Sequence, residues 1–132
     1  MKPCIKTPLK VRFGECDYYQ HVNNTVYMTY INVGFADLLR SIWPDLKKMP
    51  FLFHIVHVSL DFKNPATFDD ELIVETRISE VGKTSFTMRQ TIVKGQEQVV
   101  ADSKTICVIL DASTGQKCGV PEEMLNYFKE TK

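Results

Sequence analysis

With 132 residues the chain has room for one domain, residues 1–132, built on one core and not for two. Its 16 Lys and Arg balance 16 Asp and Glu, so no net basic field recruits nucleic acid and any anionic ligand has to be met locally. Cys4, Cys16, Cys107 and Cys118 form no C-x-x-C pair, and no His stands at metal-ligand spacing. That argues against zinc and disulfide scaffolds and predicts a reducing, cytoplasmic setting. The first ten residues, MKPCIKTPLK, lack an apolar signal core, and the longest apolar run, near residues 106–110, is too short to span a membrane.

In chain order, residues 11–30, VRFGECDYYQHVNNTVYMTY, come first as a strand-like segment that delivers one carboxylate, Asp17, just ahead of a helix. Asn23 and Asn24 are favoured helix-start residues, and the first turn they open carries free N–H groups and about half a positive charge. An oxyanion is stabilised at such a place. A carboxylate on a tight loop beside it can act as nucleophile or as base for a water, a combination that suits acyl transfer.

The helix that follows has a wide apolar stripe, Tyr27, Tyr30, Ile31, Gly34, Phe35, Leu38, Leu39 and Ile42, which predicts a largely buried element. Its other face, Thr25, Thr29, Asn32, Ala36 and Arg40, is small or polar and suits a pocket border or a partner subunit. Trp43 before Pro44 ends it. Residues 54–62 then alternate, with Val56, Val58, Leu60 and Phe62 on one side and Ile55, His57, Ser59 and Asp61 on the other, as in a strand. On this alternation His54 and His57 fall on opposite sides and read as structural. Further strands are expected at 71–81, 84–94 and 98–110, with turns at Gly82 and Lys94-Gly95, and a short helix at 121–129. One buried helix with four or five long antiparallel strands is an α+β layout in which a curved sheet wraps the helix.

The order Arg12, Phe13, Glu15, Asp17, His21-Val22-Asn23-Asn24, Tyr27, Tyr30 resembles the signature of the 4-hydroxybenzoyl-CoA thioesterase family, a family of hotdog-fold enzymes. Residues 61–76, DFKNPATFDDELIVET, are similar to that family's extended segment, Pro-containing turn and acidic corner. Residues 81–93, VGKTSFTMRQTIV, are similar to the strand that passes near the coenzyme A phosphates. The resemblance implies an acyl-CoA thioesterase that needs no metal or other cofactor, coenzyme A being part of the substrate. It also implies a homodimer whose sheets join edge to edge, or a homotetramer, with the active site between subunits.

Carried over residue by residue, the resemblance makes Asp17 the group that acts on the thioester carbonyl and the backbone N–H near Asn24 the oxyanion donor. His21 is a second catalytic candidate or a loop-ordering residue, and Glu15 reads as a surface charge at a strand end. Tyr27 and Tyr30 read as core. Lys83, Thr84 and Ser85 are the phosphate contacts, with Lys63 and Arg89 behind them. Asn32 stands where many relatives carry an acid, which leaves no acidic grip for a distal hydroxyl. Alternatives are a thioesterase acting on acyl carrier protein, for which no basic docking patch is evident, and a non-catalytic acyl-CoA-binding module, against which Asp17 argues.

Overall fold

A computed structural model describes residues 4–132. Five antiparallel strands form one sheet: β1 (Ile5–Lys10), β2 (Phe51–Phe62), β3 (Glu71–Val81), β4 (Ser85–Lys94) and β5 (Gln98–Asp111), in the order β1-β3-β4-β5-β2. The long helix α1 (Val26–Ile42) lies across one face, and α2 (Glu122–Thr131) closes the far end. This is the α+β arrangement expected. The apolar stripe is the face that packs, since Tyr27, Tyr30, Ile31, Gly34, Phe35, Leu38 and Leu39 are all buried. The helix ends at Trp43, whose extended backbone follows from the proline after it.

Two apolar clusters flank a polar belt. One, around Tyr27, Tyr30, Leu72 and Ile92, lies at the helix start. The other, around Phe35, Phe86, Ile109 and Met124, lies at its end. Between them α1 approaches the sheet so closely that a Cβ on Gly34 would stand 2.7 Å from Thr76 Oγ1 and 2.7 Å from Val74 Cγ1. Gln90, buried there, donates to the Ile31 carbonyl (2.9 Å) and to Thr76 Oγ1 (3.0 Å), pinning helix to sheet. Buried donors of this kind fix one seating of the helix because any other leaves them unpaired.

Several sequence expectations change. The strand ahead of Asp17 is β1, and residues between it and Asp17 form a loop with a short 3-10 turn at Phe13–Glu15. β2 begins three residues earlier than predicted, at Phe51. Its alternation also breaks: His54 pairs with Val108, Ile55 with Cys107 and His57 with Ile106, leaving Val56 as an extra residue in a bulge. Ile55 therefore shares the helix-facing side with Val58, Leu60 and Phe62, and His54 and His57 share the outer side rather than lying opposite. Among the described residues no helix is long and apolar enough to cross a membrane, and the four cysteines are free.

Candidate active site

The segment after β1 is knotted before it reaches Asp17. Glu15 accepts from the Arg12 N–H (2.8 Å), the Arg12 guanidinium (3.0 and 3.2 Å) and the Tyr30 hydroxyl (2.8 Å), and its carbonyl accepts from the Asn23 N–H (2.9 Å). Its side chain is only 12% exposed, so the surface-charge reading is corrected. Burial pushes the Glu15 carboxyl up, but the bonds from Arg12 and Tyr30 outweigh it and hold the group below the usual glutamate value. The Tyr30 phenol moves the other way, raised by burial and by the Glu15 carboxylate it donates to. The partner lies fifteen residues on, where no local pattern announces it.

Beyond this knot the chain makes a tight hairpin. Cys16 bridges Val22, the Asp17 N–H donates to the His21 carbonyl (2.8 Å), and Gln20, at a φ of 66°, turns the chain and donates to the Asp17 carbonyl (2.9 Å). Tyr18 and Tyr19 form its exposed tip. His21 and Val22 are held to the segment after β2, through a His21–Thr67 bridge and a bond from the Val22 N–H to the Ala66 carbonyl (2.8 Å). Asp17 spends one oxygen on the Tyr19 N–H (2.9 Å), an Asx-type turn that fixes the carboxylate's direction. Oδ2 has no donor among the described residues.

The helix start divides the two asparagines. Asn23 Oδ1 accepts from the Thr25 N–H (2.9 Å) and hydroxyl (2.8 Å), and its carbonyl accepts from Val26 N–H (2.9 Å), so Asn23 orders the turn that leads into Thr25, the N-cap of α1. Asn24 stands in that turn, two residues ahead of α1, with its N–H given to no protein acceptor among the described residues. An unspent N–H at the positive end of a seventeen-residue helix is an anion-accepting position.

Asp17, His21 and Asn24 line one open cleft of about 480 Å³, together with Tyr27, Phe62 and Lys63. Tyr27 is buried against Tyr30 and Phe62 and forms the floor, so it is both core and pocket lining. The far wall depends on a second bulge, on β5, where Val100 has no ladder partner between the pairs Ile92–Ala101 and Val93–Val99. The freed Val100 carbonyl accepts from the N–H groups of Lys63 (2.8 Å) and Asn64 (3.2 Å), which turns Lys63 to the cleft.

Lys83, Thr84 and Ser85 are elsewhere. They form the β3–β4 turn, where the Lys83 carbonyl accepts from Val120 and the Thr84 carbonyl from Ile109. The cleft lies beside the other end of β4, where Lys94 reaches Pro65. Ten strand residues separate the two ends, about 30 Å. Arg89 lies on the outer face of the sheet, and Asn32 is exposed on α1. No group of three or more His, Cys, Asp and Glu among the described residues could hold a metal ion.

Comparison with known proteins gives a consistent picture. A family model described as the thioesterase-like superfamily matches residues 11–128. The long-chain acyl-CoA thioesterase FadM of Escherichia coli is 27% identical over 125 residues, covering 91% of this chain and 93% of the relative. The 1,4-dihydroxy-2-naphthoyl-CoA hydrolase of Nostoc punctiforme is 30% identical over 80 residues, covering 61% and 53%. Among solved structures, Slr0204, a 1,4-dihydroxy-2-naphthoyl-CoA thioesterase from Synechocystis, superposes with a TM-score of 0.85 at 20% identity, covering 97% of both chains. YbaW, a probable thioesterase from Escherichia coli, gives 0.82 at 25% identity over 96% of this chain and 98% of that one. The fold is the hotdog fold, as the resemblance implied.

Proposed function

Because this chain belongs to the thioesterase-like superfamily, we propose that it hydrolyses acyl-CoA thioesters to the free acid and coenzyme A. The observation that carries the reading is the meeting of the Asp17 carboxylate and the unspent Asn24 N–H in one cleft. The thioester carbonyl lies with its oxygen at the Asn24 N–H, which gains strength as the oxygen takes up negative charge. Asp17 attacks the carbonyl carbon and expels the coenzyme A thiolate, leaving a mixed anhydride that water then cleaves to the free acid and regenerated Asp17, or it draws a proton from a water that attacks in its place, the tetrahedral adduct then expelling the thiolate. His21, bridged to Thr67, orders the loop that aims Asp17. The reaction as written draws on no cofactor beyond the coenzyme A of the substrate.

The working unit is a homodimer joined along β2. This edge strand leaves Leu52, Ile55, Val56 and Phe62 between 42% and 61% exposed, an apolar edge that a lone chain would not keep. Two β2 edges meeting antiparallel would bring the Phe51 end of one beside the Phe62 end of the other. The Lys83 turn lies at the Phe51 end of its sheet, since Phe51 pairs with Asp111 and Ser85 with Val108. The Lys83-Thr84-Ser85 turn of one subunit would then reach the phosphates of a substrate held by its neighbour, with Lys63 contributing from the cleft itself. Free cysteines suit a reducing compartment, and we assign the protein to the cytoplasm.

The test is release of free thiol from short, branched, aromatic and long acyl-CoAs by the unaltered protein and by Asp17→Asn. The Asn side chain keeps the oxygen that accepts from Tyr19, so the loop survives while turnover falls at least about a hundredfold. Turnover of the unaltered protein equal to that of the variant would overturn the assignment. Single turnover in ¹⁸O-labelled water tests the anhydride route: label in Asp17 marks an anhydride opened at the Asp17 carbonyl, a place that the general-base route leaves unlabelled.

A further inference from the structure

The fold satisfies only part of the polar belt under α1. Thr76 on β3, Gln90 on β4 and Ser103 on β5 stand side by side in the register, with Leu60 of β2 next in the row, and all face the helix. Gln90 Nε2 donates to the Ile31 carbonyl and to Thr76 Oγ1. A carbonyl only accepts, so these bonds fix which end of the amide faces the helix. Gln90 Oε1, Ser103 Oγ and, one step along β5, Thr105 Oγ1 are buried without a hydrogen-bond partner among the described residues. All three residues are more than nine-tenths buried, and polar groups left unmet in such a place cost stability. Ala at 103 and Val at 105 would avoid that cost, so packing gives no reason for the two hydroxyls.

The three groups lie beside an open strip of the same face. α1 packs on β1 and β3, and along the helix-facing side of β2 the side chains of Phe62, Leu60, Val58 and Ile55 stay part-exposed. Phe62 also lines the catalytic cleft, so this apolar trough begins where the thioester is held. Tyr19, Lys63 and Asn64 border the cleft with polar groups and suit the coenzyme A side. The acyl chain therefore leaves along the trough. Phe62 pairs with Ala101, Leu60 with Ser103 and Val58 with Thr105. The first hydroxyl thus stands about 7 Å, and the second about 14 Å, beyond the Phe62–Ala101 pair.

Resting on the thioesterase reading, we propose that this trough selects aliphatic acyl groups carrying a mid-chain hydroxyl, which bridges Ser103 Oγ and Gln90 Oε1. Ser103 donates to the substrate oxygen, and the substrate hydroxyl donates to Oε1. Oε1 only accepts, so the ligand has to bring a donor, which a hydroxyl does and a keto or ester oxygen does not. A terminal carboxylate would be buried with no cation beside it, since Arg77, Arg89 and Lys104 of these strands face the other side of the sheet. A flexible chain passes both hydroxyls, whereas a single ring stops short of the second. Half-buried Leu60, paired with Ser103, is the side chain that turns aside to admit the chain.

The test is kcat/KM for decanoyl-CoA and for esters with one hydroxyl moved carbon by carbon along the same chain. It is run on the unaltered protein, Ser103→Ala and Ser103→Thr, each checked for a native thermal transition. In the unaltered protein a mid-chain hydroxyl raises kcat/KM at least about tenfold over decanoyl-CoA, because unpaired buried groups reject the analogue that lacks their partner. A hydroxyl on the carbons next to the thioester stays in the cleft and gains nothing. Ser103→Ala removes most of the mid-chain preference, and Ser103→Thr, which keeps the hydroxyl, retains it. Decanoyl-CoA cleaved as well as every hydroxylated ester, as internal water on these groups would give, overturns the inference and leaves the thioesterase reading standing. A preference that Ser103→Ala does not alter overturns it too, and thiol released from none of the esters overturns both. Should Ser103→Ala unfold, the ratios of the unaltered protein decide.

Discussion

Replacing Glu15 with Gln isolates the knot that holds the Asp17 hairpin against α1. The amide oxygen of Gln can still accept from the Arg12 N–H and the Tyr30 hydroxyl, the two bonds at 2.8 Å. Each falls from a charge-assisted to a neutral bond, a loss of about 1 kcal/mol apiece. The amide nitrogen faces the Arg12 guanidinium and loses both of those bonds, but Arg12 is 79% exposed and that fork adds no more than about 0.5 kcal/mol. Gln is therefore less stable by about 2 kcal/mol at pH 7. The sign of the pH dependence follows from the depressed Glu15 value. A carboxyl held below its unfolded value, about 4.3, stabilises fully above that pH, and the stabilisation is lost as pH falls through the lower folded value. Urea unfolding of both proteins at pH 7, 5, 4 and 3 checks this. The gap should hold from pH 7 to 5 and close in acid. A gap that stays constant to pH 3, or widens, refutes the account of the knot.

Gly34→Ala gains about 1 kcal/mol of helix propensity but forces a Cβ to 2.7 Å from Thr76 and 2.8 Å from Gln90, where overpacking costs about 1–3 kcal/mol and a displaced Gln90 leaves a buried donor unpaired. The net expectation is a loss of about 2 kcal/mol in urea unfolding, and a variant as stable as the original would mean that the helix seats more loosely. Lys63→Ala should raise KM for CoA esters more than for a short thioester lacking the nucleotide, with the difference shrinking at high salt. Lys83→Ala should do the same only where the dimer forms, and equal effects on both esters would remove either lysine from the phosphate site. Val56→Asp puts a charge on the β2 edge at a residue 61% exposed and without a ladder partner, so the light-scattering mass should halve while the thermal transition persists.

Much of this architecture is legible in the sequence because its signals are local and periodic. The α1 stripe repeats every three or four residues, and a proline after Trp43 stops it, so element and buried face can both be read directly. β1 was less visible. Pro8, Lys6 and Lys10 interrupt any apolar run there, yet Thr7 and Leu9 lie on the helix-facing side and the strand stands at a sheet edge, where proline is tolerated. Glu15 escaped for a different reason, since its worth lies in Tyr30, which nothing in residues 12–16 announces. The gathering of Asp17, His21 and Asn24 was readable because they lie within eight residues. Lys63 joins them from forty residues away only through backbone pairing.

That pairing is where sequence reading stops and structure begins. Alternation along a strand assumes an unbroken ladder, and this sheet breaks its ladder at Val56, at Ser79 and at Val100. A bulge is chosen jointly by two strands: Val56 is extra only because His54 and His57 face Val108 and Ile106, fifty residues on. No window of β2 alone contains that information. The breaks carry consequence for function in proportion to what they free. The one at Val100 releases a carbonyl that two successive N–H groups use to turn the chain at Lys63. The one at Val56 reverses the sense of half of β2, bringing Ile55 to the helix side and both histidines to the other.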